Sequence, residues 1–416
     1  MRCAVGQGGV PRGAVEFRTT FLRDLDLCVR PAPGALVSCG DRELGDRGLL
    51  LHSEGAAHCC ARRERMSGSP TAAGGHGRQD AGMSLLLSER AEIVSPLPLM
   101  TVQDTRMLGI RLVPKVWRRI RRGVYVDRAA YDKLQPWKRY AVRVHAFVRA
   151  HPDAVLCLES AAVFHGLPLF GETRDIHVFA DGSEKARRVG DVWVHTSEHP
   201  RSIERVGGAL VTSQIDTVAD LCRVLPIAKA LCLADAAISP VQGGSAAIDD
   251  VVDLLDAQTN RRGIARARWV CDHADGLSES PGESVSRAVI IWSGFEEPEL
   301  QREFHYDGFE DRVDFHFRSV SAIGESDGWQ KYRLGDPEEA AQRLVEEKRR
   351  EDRLRRHGHP FGRWDLSDAM QVKPLCTALK GAGVPQTRPP QPAMLATLRT
   401  SPRELPRVPR ETPKAG

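Results

Sequence analysis

Long apolar runs are missing from this 416-residue chain. None reaches the length that a membrane-spanning helix requires. No basic segment followed by an apolar core opens it, so a secretory leader is not expected. The ten cysteines include no Cys-x-x-Cys pair, and five of them fall within the first 60 residues. A zinc framework and a disulfide scaffold are both excluded on that pattern. Cys157, Cys222, Cys232 and Cys271 sit in apolar runs, where a reduced thiol behaves as a small hydrophobe. A cytoplasmic protein without membrane partners is the expectation. Net charge is only +4, so the chain is no polycation. Gly243-Gly244-Ser245 lacks the lysine that a phosphate cradle needs. Ser160 has no base motif near it and is no nucleophile elbow.

Local charge is what the chain does have. Arg118, Arg119, Arg121 and Arg122 form one basic cluster; Arg349, Arg350, Arg353, Arg355 and Arg356 form another. Such patches suit phosphate backbones, although a basic face is also an ordinary solvated surface. Residues 1–82 contain no lysine, are rich in Gly and Arg and have weak periodicity; a disordered or misassigned extension is expected. Met83, Met100 and Met107 are alternative starts. Residues 371–416 hold nine prolines and two acids, which reads as a disordered basic tail.

Between them lies the expected ordered part. A short basic helix at Trp117–Arg122 leads through Gly123 into a strand, giving a winged-helix-like segment over 83–127 whose first candidate helix is broken by Ser95-Pro96-Leu97-Pro98. A mixed helical and strand domain follows over 128–273. It opens with a helix from Gln135 to Ala150 and breaks near Arg262-Gly263. His165 ends a helix stopped by Gly166 and Pro168, and its expected role is a structural hydrogen bond. His177 and His195, in apolar strands, are expected to be structural as well.

The last domain, 274–370, carries the chemistry. A helix from Glu283 precedes strands at 299–306, 309–317 and 320–327. Asp336-Pro337 then starts a charged helix to His357. In the second strand Val313, Phe315 and Phe317 are expected on one face, with Asp314 and His316 on the other. Glu283, Asp314, Glu325 and Asp327 stand where short apolar runs would deliver them to one sheet edge, and hard divalent cations need such carboxylate clusters. A metal so held activates water and stabilises charge in phosphodiester cleavage.

The stretch Gly282-Glu283-Ser284, Gln301, Val313-Asp314-Phe315, Gly324-Glu325-Ser326-Asp327-Gly328, Lys348-Arg349-Arg350-Glu351-Asp352 and Arg363-Trp364 resembles the PD-(D/E)xK nuclease superfamily, in the branch of very-short-patch-repair endonucleases. The segment from about 105 to 200 resembles the AbiEi-type antitoxins of type IV toxin–antitoxin systems. The resemblance rests on Arg121-Arg122-Gly123-Val124-Tyr125-Val126, on Glu159-Ser160-Ala161-Ala162-Val163-Phe164-His165-Gly166-Leu167-Pro168 and on Ile176-His177-Val178. Together they imply an α+β multidomain chain: a winged-helix-like start, a mixed middle domain and a C-terminal α/β/α restriction-endonuclease-like sandwich. They imply DNA as partner, bound through Arg118, Arg119, Arg121 and Arg122. Mg²⁺ or Mn²⁺ would sit on Asp314 and Glu325, with Glu283, Asp327 and Lys348 or Lys331 completing the catalytic set. Asp327 stands where the nuclease strand ideally has lysine. The alternative is a DNA-binding antitoxin or regulator with an inactive nuclease-like domain, partnered by a cognate toxin or a second copy.

Overall fold

The computed structural model describes residues 85–180, 185–327, 337–398 and 401–406. The expected extension at 1–82, the expected start of the charged helix at Asp336, and Lys331 lie outside them. Within the described residues the protein mixes helices with three separate sheets.

A four-residue turn of helix, α1 (Leu87–Arg90), precedes the first sheet. That sheet is built from β1 (Met100–Thr101), then, after helix α2 (Val102–Met107), from β2 (Trp117–Arg121) and β3 (Val124–Asp127), in the antiparallel order β1-β3-β2. The arginine cluster is thus on a β-hairpin, which corrects the expected basic helix. The hairpin turns at Arg122-Gly123, where Gly123 has φ 76°, a left-handed conformation that costs a side-chain-bearing residue energy. No helix lies between Met107 and Trp117.

Next come α3 (Arg128–Lys133) and α4 (Pro136–Ala150). Pro136 at the first turn of α4 supplies a fixed φ where no backbone donor is needed. Tyr140, Ala141, Val142, Val144, Ala146 and Phe147 are buried along it, while Trp137 is largely exposed.

A six-stranded mixed sheet forms the middle of the chain. After β4 (Val155–Leu156) comes α5 (Leu158–His165), then β5 (Ile176–Ala180), β6 (Arg187–Val189), β7 (Val192–Thr196), β8 (Ile203–Val206) and β9 (Ala209–Thr212); the spatial order is β6-β7-β5-β4-β9-β8. Helices α6 (Gln214–Val224), α7 (Ile227–Ile238), α8 (Ile248–Ala257) and α9 (Ile264–His273) follow, with the expected break between the last two.

The third sheet begins after α10 (Pro281–Trp292). Ser280 caps that helix, its Oγ accepting from the Glu283 N–H, with Pro281 in the first turn. Strands β10 (Glu299–Tyr306), β11 (Phe309–Phe317) and β12 (Ala322–Asp327) run antiparallel; α11 (Pro337–Arg356) crosses over, and β13 (Phe361–Asp365) pairs parallel to β12. Phe315, Phe317, Ala322 and Trp364 join the main core with α10, while Val313 and Ile323 pack on Leu354 of α11. Val313 therefore does not share a face with Phe315 and Phe317. The β10–β11 ladder pairs Leu300 with Phe315 and Arg302 with Val313 but skips Gln301, whose φ of 52° lets both strands change face opposite Asp314. Gly324 is required by packing: a Cβ there would lie 2.6 Å from the Trp364 ring.

Residues 371–416 do not behave as a disordered tail over their described part. After α12 (Leu366–Gln371), helix α13 (Lys373–Gly381) buries Leu375 and Leu379, and Ala382, Val384 and Leu398 join the same core on either side of α14 (Pro392–Ala396). Proline here sits in the first turn of α13 and α14, where it favours a helix.

Candidate functional site

Glu283 is fixed before any ligand is considered. Its Oε2 accepts from the Glu279 N–H (2.8 Å) and from Gln301 Nε2 (3.1 Å), and its Oε1 accepts from the Ser280 hydroxyl (2.7 Å). Burial, and then the neighbouring Asp314 charge, push its carboxyl well above the usual carboxylate range. Asp314, at the point where β11 changes face, accepts from the Ser326 N–H at 2.8 Å. Glu325, one residue earlier on β12, is 1% exposed and meets Arg350 of α11 at 2.9 Å. Of the four carboxylates of the sequence-based site, Asp314 lies near Glu283, and it bonds the N–H of Ser326, the neighbour of Glu325.

The cations around them were not expected. Arg350 also donates to the Arg312 carbonyl, and burial, which lowers its pKa, is outweighed by the charges of Glu325 and Asp314. Arg312 in turn pairs with buried Glu279 at 2.8 Å. Asp327 lies 3.8 Å from Arg363, which holds Glu347 at 2.6 Å. Lys348 does not belong to the site: its side chain is 63% exposed and binds Asp352 on the outer face of α11. His316 turns to Glu299, at 3.0 Å, rather than to Asp314.

An all-carboxylate donor set suits a hard divalent cation. Among the described residues no group of three His, Cys, Asp or Glu converges on a metal position, and Arg350 supplies positive charge to Glu325 and Asp314 directly. A helical wheel would have found Arg350. Glu347, Arg350 and Leu354 share one face of α11, and Leu354 is the apolar residue that this helix buries. Buried Arg353 on the same helix pairs with Asp311 at 2.7 Å and fixes α11 to β11.

On the hairpin, Arg119 and Arg122 are exposed, and Arg118 is half-exposed in a 3.0 Å pair with Asp132. Arg121 belongs to the fold instead. It pairs with Asp191 at 3.0 Å and lies over the Phe147 ring. Arg111 and Lys115, exposed in the segment leading into β2, add to the basic surface.

A second charged cluster was missed altogether. Glu159, 2% exposed in the first turn of α5, takes a bidentate contact from Arg403. Arg403 also donates to His177 Nε2 at 3.0 Å, which leaves the His177 proton on Nδ1 to be donated to His195 Nε2 at 2.9 Å. Burial would raise the Glu159 carboxyl, but the Arg403 guanidinium and His177 hold it down to about 2. Burial pushes His177 down to about 3 and His195 to about 4. Ser160 bonds Tyr140 Oη and the His177 N–H, and His165 bonds the Thr212 carbonyl, the structural hydrogen bond expected of it.

Among the described residues no helix is long and apolar enough to cross a membrane. No family model matches the chain, and no solved structure matches it. Two proteins of Mycobacterium tuberculosis, one from each of two strains and both described as uncharacterized, are 37% identical to it over 173 residues. The match covers 41% of this chain and 62% of each relative, so the chain spans less than two thirds of their length.

Proposed function

We propose that this chain is a DNA-directed protein that binds duplex backbone through its basic hairpin and carries a nuclease-like domain whose acidic cluster is compensated by arginine. The element order α10-β10-β11-β12-α11-β13, with one parallel pair at its end, supports a PD-(D/E)xK-like sandwich. The observation that carries the regulator or antitoxin-like reading over hydrolysis is the contact of Arg350 with Glu325. A guanidinium tethered there competes intramolecularly with any divalent ion for Glu325. The test pairs two measurements on the same protein. Mobility shift against salt should show binding that weakens steeply as salt rises. Incubation with duplex, single-stranded and mismatched DNA in Mg²⁺ or Mn²⁺ should show no cleavage.

The second reading is metal-dependent DNA hydrolysis. It is favoured by the closeness of Glu283 and Asp314, whose charge adds to burial in raising the Glu283 carboxyl. Cleavage by the wild type that is lost in Asp314→Asn, with DNA binding retained, would establish it over the regulator.

A further inference from the structure

Residues Ser401–Pro406 lie on the middle domain like an added strand. The Arg174 N–H donates to the Arg403 carbonyl, and the Leu405 N–H donates to the Glu172 carbonyl, both at 2.8 Å, around an antiparallel bridge between Thr173 and Glu404. The other edge of the Thr173-Arg174 stretch is already occupied. Arg143 of α4 donates to both of its carbonyls. Only the edge that faces the segment offers backbone groups for pairing. Two side-chain positions read the segment. Arg403 enters a pocket floored by buried Glu159 and His177, and Glu404 pairs with Lys229, which lies over the Phe170 ring. Beside Arg403 a cleft of about 190 Å³ opens between His177, Arg188 and Trp193, so the pocket is reachable from outside.

We propose that this is a peptide-docking groove, specific for an extended segment with arginine followed by an acidic residue, and that Ser401–Pro406 is its resident occupant, exchangeable for the same sequence in trans. Strand addition supplies affinity that any sequence would gain, and the pockets supply selection. The arginine pocket is the selective one. The guanidinium donates through Nε and Nη2 to Glu159 and through Nη2 to His177, and an ammonium cannot reproduce that fork. Besides the guanidinium, the Glu159 carboxylate meets the His177 ring at 3.4 Å, and burial keeps that ring's pKa low, so the standing positive charge in the groove is that of Arg403. The proposal does not depend on the nuclease-like domain or on DNA.

The probe is a labelled Ser-Pro-Arg-Glu-Leu-Pro peptide titrated into the full chain. The Arg403→Ala chain, whose own segment lacks the anchor, should bind it saturably. Binding should weaken by about tenfold or more when the peptide arginine is lysine, and likewise when the chain also carries Glu159→Gln. Equal binding of both peptides, or none, overturns the proposal. Should Arg403→Ala fail to fold, hydrogen exchange on the wild-type chain decides. Excess peptide should expose the Leu405 amide while the Arg174 amide stays protected; an unchanged Leu405 amide overturns exchange in trans. In trans the occupant is Ser401–Pro406 of a second copy of this chain, so mixing Arg403→Ala chains with Glu159→Gln chains should give a mixed dimer, and two separate monomers overturn the proposal.

Discussion

Replacing Arg403 with alanine should cost this protein a large part of its stability, and the cost should depend on pH in one direction. In the wild type, the Glu159 carboxyl is held at about 2 against an ordinary 4.5. At 1.36 kcal/mol per unit, that difference contributes roughly 3 kcal/mol to the folded state. The sign follows from the depressed value. The contribution is complete above the unfolded pKa of 4.5 and is lost as pH falls toward 2. Without Arg403, burial becomes the dominant influence on Glu159, and its folded pKa moves above 4.5. The variant then pays at neutral pH, either by protonating Glu159 or by burying an unpaired charge, and pays nothing once the pH is low enough to protonate it in both states. Breaking a buried pair typically costs about 3–5 kcal/mol, the same range. Urea denaturation followed by circular dichroism at pH 7, 5.5 and 4 should show a loss of about 3 kcal/mol at pH 7 that shrinks steadily toward pH 4. The double variant Arg403→Ala with Glu159→Gln should recover at least half of that loss at pH 7, because the uncompensated charge is gone. A loss below about 1 kcal/mol at pH 7, or one that does not change with pH, refutes the assignment of Glu159 as a buried anion held by Arg403.

Three further outcomes follow from the other sites. Removing Arg119 and Arg122 together should lower DNA affinity for all sequences alike and reduce the salt slope by about 2, while Arg121→Ala should chiefly lower the melting temperature because that side chain braces Asp191 and Phe147; a mobility-shift series in salt, beside a thermal melt, separates the two. Arg350→Ala should destabilise the chain by about 2–4 kcal/mol and make its melting temperature rise with added Mn²⁺, where the wild type is indifferent; a metal response in the wild type would show that Arg350 does not stand in for a cation. Glu283→Gln should stabilise the chain at alkaline pH and make no difference at pH 4, since a carboxyl whose folded pKa is raised favours folding only while protonated; urea midpoints at pH 4 and 9 read the difference.

Much of the C-terminal domain could be read from its sequence because its signals are local. Ser280-Pro281 announces α10, and the alternation in Phe309–Phe317 gives β11 its full length. Two elements were misread for equally local reasons. Trp117–Arg121 alternates no more clearly as a strand than as a helix, since arginine is a good helix former; the turn at Gly123 and the pairing with β3 decide the matter. The region beyond 371 was read from its proline content, yet Leu375 and Leu379 carry the four-residue spacing of a buried helix face.

The charge partners were harder, and the reason is distance along the chain. Glu159 and Arg403 are 244 residues apart, and no periodicity connects them. Half of the pair was nevertheless visible. Glu159 stands within the otherwise apolar and small run Leu158–Phe164, which the structure buries completely. An acid in such a run must be protonated, or paired, or exposed by a break in the helix. The sequence offers no break before Gly166. Either a proton or a cation was therefore required at Glu159, and the same reasoning applies to Glu325, which meets Arg350. Where a short apolar element carries one acid, the useful question is which distant arginine has no other partner to explain its burial. For this chain that question leads from α5 to a six-residue segment that composition alone had assigned to solvent.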